Sequence, residues 1–247
     1  MEKKFKWDIS SATLHILAMA FMLCDHMWAT VVAGNNWLTC IGRLAFPVFA
    51  FMITEGYFHT SDVKKYAKRM LVFALISEIP FNLMVSSAIV FPIHQNVLFT
   101  FLIGLGLVHI NETVRKKDRL WLTVLTGFAT VVLGFAAGYL FMVDYYGVGV
   151  VTVLVFYFFR HRKWWCYVGQ FAALYYLNVE ILSGMYYEIE LFGHTFKIVQ
   201  QGFALLALIP IWLYRGRKGH SSKAFKYFCY WFYPVHMFIL AMIFMAS

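Results

Sequence analysis

The chain is 247 residues long, and 62% of these residues are hydrophobic while only 13% carry a charge. A soluble globular domain is usually about 45–50% apolar and about 25% charged, so this composition excludes an ordinary soluble fold. The net charge of +9 does not indicate nucleic-acid binding. The basic residues stand in short clusters between apolar runs, which is the pattern of loops in membrane proteins.

The apolar runs predict about nine transmembrane helices. A spanning helix needs roughly 20 mostly apolar residues, so nine spans use nearly all of residues 1–247 as a single transmembrane domain. The basic N-terminus and first apolar run look like a signal peptide. However, the run is long and lacks a small-residue cleavage site, so we interpret it as a retained first helix. The predicted spans cover residues 10–32, 37–58, 68–88, 95–111, 120–141, 146–160, 164–183, 198–214 and 226–246.

The basic residues predict the orientation of these spans. Nineteen of the 21 lysines and arginines fall before the first span or directly after the second, fourth, sixth and eighth. These positions share one side of the membrane, and loops rich in lysine and arginine face the cytoplasm. We therefore expect an all-α, polytopic membrane helix bundle in the plasma membrane, with its N-terminus inside and its C-terminus outside. The two exceptions are Lys197, in an outer loop, and Arg43, near the outer end of the second span.

Polar side chains gather in the outer half of the predicted bundle. Ionisable groups inside a membrane are costly and by default suggest a functional site. His236 lies deepest, near the middle of the last span, where a satisfied core histidine is an alternative interpretation. Tyr145 also fits the interfacial aromatic belt. The sequence shows no metal-ligand spacing, phosphate-binding loop or dinucleotide motif. The candidate residues of this polar group are Asp25, His26, Arg43, Glu78, Gln95, Asn96, Asp144, Tyr145 and His236.

His26 is the candidate with the clearest chemistry. A histidine oriented by a carboxylate acts as a general base, and a nearby arginine or amide stabilises negative charge on an oxygen. Asp25 and His26 are adjacent, so on a helix they point about 100° apart. Glu78 and Asp144 are therefore equally candidates to orient His26. Asp25 beside Arg43 has a simpler interpretation, as a structural ion pair.

Six strings along the chain resemble the TraX family. They run in order from the first predicted span to the last, and the first two are the most specific. The family's named member is a conjugation-system membrane protein that N-acetylates the pilin subunit, and the family is similar to a wider group of multipass membrane acyltransferases. The Asp144–Tyr145 turn is also similar, although Tyr146 separates it here from Gly147. The strings are CDH at 24–26, IGRLAFPVFAF at 41–51, EGYFHT at 55–60, FALISEIPFNL at 73–83, QNVLFT at 95–100 and FYPVH at 232–236.

This resemblance implies a membrane acetyltransferase. An acetyl group would pass from cytoplasmic acetyl-CoA to an amine or hydroxyl of an exported protein or surface glycan at the outer face. His26 would be the general base, while Arg43, Gln95 and Asn96 are candidates to contact the thioester carbonyl or the acceptor. The catalytic candidates are His26, Asp25, Arg43 and Glu78, and the substrate-binding candidates are Gln95, Asn96, Asp144, Tyr145 and His236.

Two other functions compete with acetyl transfer. One is a proton-coupled small-molecule transporter, but transporters commonly contain internal repeats, and this sequence shows none and predicts an odd number of spans. The other is a non-catalytic assembly factor for a pilus or another surface structure. An assembly factor would tolerate substitution of the polar residues, whereas an enzyme would lose activity with His26→Ala while staying folded.

Overall fold

A computed structural model describes residues 8–191, 193–220 and 222–246. Helical segments dominate these residues, with one short β-hairpin. The helices are α1 (Ser11–Ala29), α2 (Asn36–Gly42), α3 (Ala45–His59), α4 (Val63–Ser86), α5 (Val97–Arg115), α6 (Leu120–Leu140), α7 (Tyr146–Phe158), α8 (Trp164–Tyr175), α9 (Leu208–Leu213) and α10 (Lys223–Ala246). A π-helical segment, Tyr176–Leu182, continues α8; strands β1 (Tyr186–Leu191) and β2 (His194–Val199) follow, and a 3-10 helix, Gln200–Ala207, leads into α9.

The chain forms two compact units. The first contains the described residues up to Phe49 together with those from Phe171 onward, and the second contains Ala50–Gln170. Helices α3 and α8 each contribute residues to both units. In the first unit α1 packs against α2 and α10, and in the second unit α5 packs against α4, α6 and α7.

The helices agree with most of the predicted spans. Among the helices of the described residues, six are long and apolar enough to cross a membrane when α2 and α3 are taken together as one. Two shorter apolar helices, Tyr146–Phe158 and Gln200–Leu213, coincide with the sixth and eighth predicted spans, and α8 with its π-helical continuation coincides with the seventh. The prediction of a helical membrane bundle is thereby supported. The number of nine spans and the orientation in the membrane stay predictions. The six long helices are Ser11–Ala29, Asn36–His59, Val63–Ser86, Val97–Arg115, Leu120–Leu140 and Lys223–Ala246.

Helix α4 begins five residues earlier than predicted, at Val63 rather than at residue 68. Asp62 precedes it in an extended conformation, and its Oδ1 accepts a hydrogen bond of 2.9 Å from the backbone N–H of Lys65. This is the N-cap arrangement that satisfies one of the free N–H groups at a helix start. Lys64 and Lys65 therefore lie in the first turn of α4 instead of in a loop.

The hairpin of β1 and β2 was not predicted and departs from the all-α expectation. The strands pair antiparallel, from Tyr186 opposite Val199 to Leu191 opposite His194. Successive side chains of a strand point to opposite faces, so the pair Ile189–Phe196 lies on an apolar face and the pair Glu188–Lys197 on a polar one. That period of two was visible in the sequence as YYEIEL, within a segment that we interpreted as an outer loop.

Glycines set the packing of α6 against α7 in the second unit. A Cβ added at Gly138 would lie 2.5 Å from the Cα of Gly147, so the two backbones are in direct contact there. Small residues allow this close approach between membrane helices. Helix α7 is buried along most of its length, and the turn that precedes it carries the candidate residues Asp144 and Tyr145.

Candidate functional site

Helices α1 and α10 bring His26 and His236 together, although 210 positions separate them in the sequence. Nδ1 of His26 lies 2.8 Å from Nε2 of His236. Nδ1 of His236 in turn lies 2.6 Å from the carbonyl oxygen of Phe232. His236 is only 7% exposed, whereas His26 is partly exposed. Among the described residues, Nε2 of His26 has no hydrogen-bond partner.

The two imidazole rings meet edge to edge. Their planes differ by 7° and their centroids are 4.9 Å apart. That separation is close to the 2.8 Å nitrogen–nitrogen distance plus one ring radius at each end, so the rings lie nearly in one plane instead of one above the other. The contact is therefore a directed hydrogen bond. The Phe232 ring stacks on His236 with centroids 4.7 Å apart.

Asp25 belongs to a second polar group in the same unit. Nη2 of Arg43 donates to Oδ1 of Asp25 at 3.0 Å and to Oγ1 of Thr39 at 2.7 Å. Thr39 then donates its hydroxyl to the same Asp25 oxygen at 2.7 Å. The Arg43 and Asp25 side chains are 18% and 20% exposed. The ion pair that we considered as the simpler interpretation of Asp25 is thus present, while the hydrogen-bond partner of the His26 ring is a second histidine.

The approach of α2 to α1 depends on Gly42. A Cβ added at this position would lie 2.3 Å from the Cβ of Asp25 and 2.8 Å from its Cα. Only glycine fits such a contact. The missing side chain lets Arg43, the next residue, reach the Asp25 carboxylate.

Asn96 ties α5 to α4 in the second unit. Its Oδ1 accepts a hydrogen bond of 3.1 Å from the backbone N–H of Leu98 and so caps α5. Its side-chain amide nitrogen donates to the Ala74 carbonyl at 2.9 Å and to the Glu78 carboxylate in a short hydrogen bond. An amide nitrogen has two hydrogens, and both are engaged here. Asn96 is fully buried, so in this arrangement it holds Glu78 and has no N–H left for a substrate.

Asp144 is held by several donors at the turn before α7. The backbone N–H of Tyr145 donates to its Oδ1 at 3.1 Å, and Nε2 of His94 lies 3.3 Å from the same oxygen. The hydrogen bond with Asp144 raises the pKa of His94 above its ordinary value of 6.5, although partial burial opposes this shift. Thr100 donates its hydroxyl to the Asp144 carbonyl at 2.6 Å. Tyr145 has a φ of +59°, which is uncommon for a residue other than glycine.

Gln95 joins the loop before α5 to this turn through its backbone. Its N–H donates to the Met142 carbonyl at 2.8 Å, and its own carbonyl accepts from the N–H of Asp144 at 2.9 Å. Its side chain donates to the Pro92 carbonyl at 3.0 Å. The arrangement fixes the position of Asp144 relative to the start of α5.

The predicted site residues fall into two groups, one in each unit. Sequence reasoning did not select Thr39 or His94. Thr39 stands four residues before Arg43, a spacing that places both on one side of a helix, and His94 directly precedes the string QNVLFT. No group of three or more histidine, cysteine, aspartate or glutamate side chains within the described ranges is arranged to hold a metal ion. The first unit holds Asp25, His26, Arg43 and His236, and the second holds Glu78, Gln95, Asn96, Asp144 and Tyr145.

Long apolar helices that carry ionisable side chains define a multi-pass helical membrane protein. Comparison with protein families identifies the family to which this membrane protein belongs. The family described as "TraX protein" matches residues 10–244, and the chain therefore belongs to the TraX family. This confirms the family that the sequence strings predicted.

A curated relative extends the same similarity over nearly the full chain. The "Probable fimbrial assembly protein FimC, serogroup H1" of Dichelobacter nodosus is 29% identical, over an alignment that covers 94% of this chain and 95% of the relative. No solved structure matches the chain.

Proposed function

We propose that this TraX-family protein is a membrane acetyltransferase in which His26 is the general base. The acetyl donor is cytoplasmic acetyl-CoA. The acceptor is an amine or hydroxyl of an exported protein or surface glycan at the outer face of the membrane. The TraX resemblance supplies the reaction class, and the geometry around His26 supports the choice of base.

The observation that carries the proposal is the state of the His26 ring. One nitrogen is engaged by His236, and the other has no hydrogen-bond partner among the described residues. His26 is less deeply buried than His236, and the proposal requires that a reactant reach its Nε2. A base that is oriented at one nitrogen and available at the other has the geometry that general-base catalysis requires.

The proposed reaction balances with groups of the first unit. The acceptor atom attacks the thioester carbonyl, a new bond to the acetyl carbon forms, and the carbon–sulfur bond breaks. Nε2 of His26 takes the proton of the acceptor and delivers it to the leaving thiolate. Arg43 contributes positive charge that stabilises the carbonyl oxygen as it becomes negative, and Asp25 and Thr39 hold the Arg43 guanidinium in place.

The name of the curated relative suggests an acceptor. That protein is called a probable fimbrial assembly protein, and it matches this chain over almost its whole length. A structural subunit of a surface fibre is therefore the first acceptor to test. The amino groups and hydroxyl side chains of such a subunit are nucleophiles of the kind that acetyl transfer needs.

The test is turnover of radiolabelled acetyl-CoA by the protein purified in detergent, with extract of the source cells as acceptor. His26→Ala is compared with His15→Ala, a matched control in the same helix. His15 is also partly buried, and its Nδ1 lies 2.8 Å from the Ser11 carbonyl. General-base catalysis contributes roughly 10²–10⁴-fold, so we expect His26→Ala to lose at least about 10²-fold while His15→Ala retains turnover.

Two results would reject this function. One is an absence of acetyl-CoA turnover by the folded wild-type protein in the presence of extract. The other is equal turnover by the wild type and His26→Ala. Elution volume and helical circular dichroism establish that each variant is folded.

A second candidate function, a non-catalytic assembly factor, is favoured by the name of the same relative. The two functions differ in what His26 does in the cell. If the protein only scaffolds assembly, cells that carry His26→Ala in place of the wild type assemble surface fibres normally. If acetylation is required, they accumulate unacetylated subunits, which intact-mass measurement detects.

A further inference from the structure

We infer that His236 is the positioning residue of His26: it holds the neutral His26 ring with its proton on Nδ1 and its lone pair on Nε2. The catalytic consequence rests on the proposed function, whereas the tautomer itself does not. The inference follows from the chain of hydrogen bonds that ends at the Phe232 carbonyl.

One atom at the end of this chain of hydrogen bonds can act in only one way. The Phe232 carbonyl oxygen can only accept a hydrogen bond. Nδ1 of His236 lies 2.6 Å from it, so this nitrogen carries a hydrogen and donates. A neutral imidazole has one N–H and one lone pair. Nε2 of a neutral His236 is therefore an acceptor.

The same donor–acceptor constraint applies to the ring of His26. Nε2 of His236 lies 2.8 Å from Nδ1 of His26, which is an ordinary hydrogen-bond length. Because the His236 nitrogen accepts, Nδ1 of His26 must carry the hydrogen. The lone pair of a neutral His26 is then on Nε2, the atom without a hydrogen-bond partner among the described residues.

Ring orientation agrees with this assignment. Imidazole lone pairs and N–H bonds lie in the plane of the ring, so a good hydrogen bond requires each ring to point one nitrogen at the other within its own plane, as two parallel rings that meet edge to edge do. The observed planes differ by 7°. A histidine that only filled space beside His26 would have no need of this alignment.

On this inference, His236 also helps to stabilise the positive charge that His26 gains on proton transfer. When Nε2 of His26 takes a proton, the hydrogen on Nδ1 can shift toward Nε2 of His236. His236 then donates through both nitrogens, one to His26 and one to the Phe232 carbonyl. In serine-protease triads a carboxylate orients the catalytic histidine and stabilises its positive charge without itself taking up the proton. Here a second imidazole and a backbone carbonyl take that place, and Asp25 remains with Arg43.

The acceptor for His236 is local to α10. Phe232 precedes His236 by four residues, about one helical turn, and the same kind of contact joins Nδ1 of His15 to the Ser11 carbonyl in α1. A buried imidazole without partners would be costly, and both nitrogens of His236 are satisfied in the hydrogen-bond chain.

The experiment reads the tautomer of His26 directly. Protein with ¹⁵N-labelled histidine is prepared in lipid nanodiscs as wild type, His236→Met and His236→Gln, and His26→Gln assigns the His26 signals. We expect the wild-type His26 proton on Nδ1. His236→Gln keeps it there, because the glutamine carbonyl oxygen can accept the same hydrogen bond. His236→Met has no such acceptor and loses the Nδ1–H preference.

Acetyl-CoA turnover of the same samples supplies the second readout. We expect His236→Met to lower kcat about 10- to 100-fold, the range found when the hydrogen-bond partner of a metal-ligating histidine is removed, with KM for acetyl-CoA unchanged. His236→Gln recovers part of this loss. If His236 were only structural, turnover would not recover specifically in the variant whose side chain restores a hydrogen-bond acceptor.

The possible failures are distinguishable. A wild-type His26 with its proton on Nε2, or an unchanged tautomer in His236→Met, overturns the inference even if turnover is present. Absence of turnover in the wild type rejects the proposed function, and the tautomer measurement still decides the inference. If His236→Met does not fold, the wild-type and His236→Gln spectra decide it.

Discussion

Gly42→Ala tests the contact that places Asp25 beside Arg43. The new Cβ would lie 2.3 Å from the Cβ of Asp25, whereas carbon atoms in contact are separated by about 3.5–4.0 Å. Helices α1 and α2 must therefore move apart by about 1 Å or more. Overpacking of this kind costs about 1–3 kcal/mol. Alanine recovers about 0.5–1 kcal/mol of this through its better helix propensity, so the expected net loss in the free energy of unfolding is about 1 kcal/mol and at most about 2.5 kcal/mol.

Gly106→Ala is the matched control. Gly106 also lies within a long apolar helix, α5, but a Cβ added there meets nothing within 4 Å. It should gain the helix propensity without the clash, a stabilisation of about 0.5–1 kcal/mol.

The assay is reversible unfolding in mixed micelles of a mild detergent and a denaturing one, followed by tryptophan fluorescence. Gly42→Ala should unfold at a lower fraction of denaturing detergent than the wild type, and Gly106→Ala at an equal or higher one. The reasoning is refuted if the two variants are equally stable, because α1 and α2 would then tolerate a side chain where the structure leaves no room for one.

Two further predictions concern the pH dependence of stability and the topology. Because the hydrogen bond with Asp144 raises the pKa of His94 above 6.5, its contribution to stability is fully present below that pH and is lost as pH rises through the folded-state value. The melting temperature of the wild type should therefore exceed that of His94→Gln most at acidic pH, and a gap that widens toward alkaline pH would contradict this. Single cysteines introduced at Ser61 and at Thr195, in a variant without native cysteines, should differ in how they are labelled in intact cells. An impermeant maleimide should label Thr195→Cys and not Ser61→Cys, and the reverse pattern would invert the predicted orientation.

The long apolar helices could be predicted from the sequence because they depend on local properties. Hydrophobicity over about 20 residues decides whether a segment enters the bilayer, and the clusters of lysine and arginine separate neighbouring segments. The start of α4 was misplaced, since Lys64 and Lys65 are compatible with a helix once Asp62 caps its first turn. The hairpin was missed because its six-residue strands alternate too briefly to stand out among apolar helices.

The candidate site was predictable by residue type and not by pairing. An ionisable side chain in an apolar run is unusual by itself, so Asp25, His26 and Arg43 could be selected without a structure. Their partners could not. Asp25 and His26 are neighbours in the chain, yet the structure assigns one to Arg43 and the other to His236, 210 positions away.

The sequence by itself determined that this chain is a helical membrane protein of the TraX family, with polar groups held inside an apolar bundle. Only the tertiary structure decided which of these groups face one another. The packing of α1 against α10 joins His26 to His236, and the absence of a side chain at Gly42 joins Asp25 to Arg43. The physical reason is that hydrophobicity acts along a single segment, whereas a hydrogen bond requires two atoms from different segments at a set distance and angle.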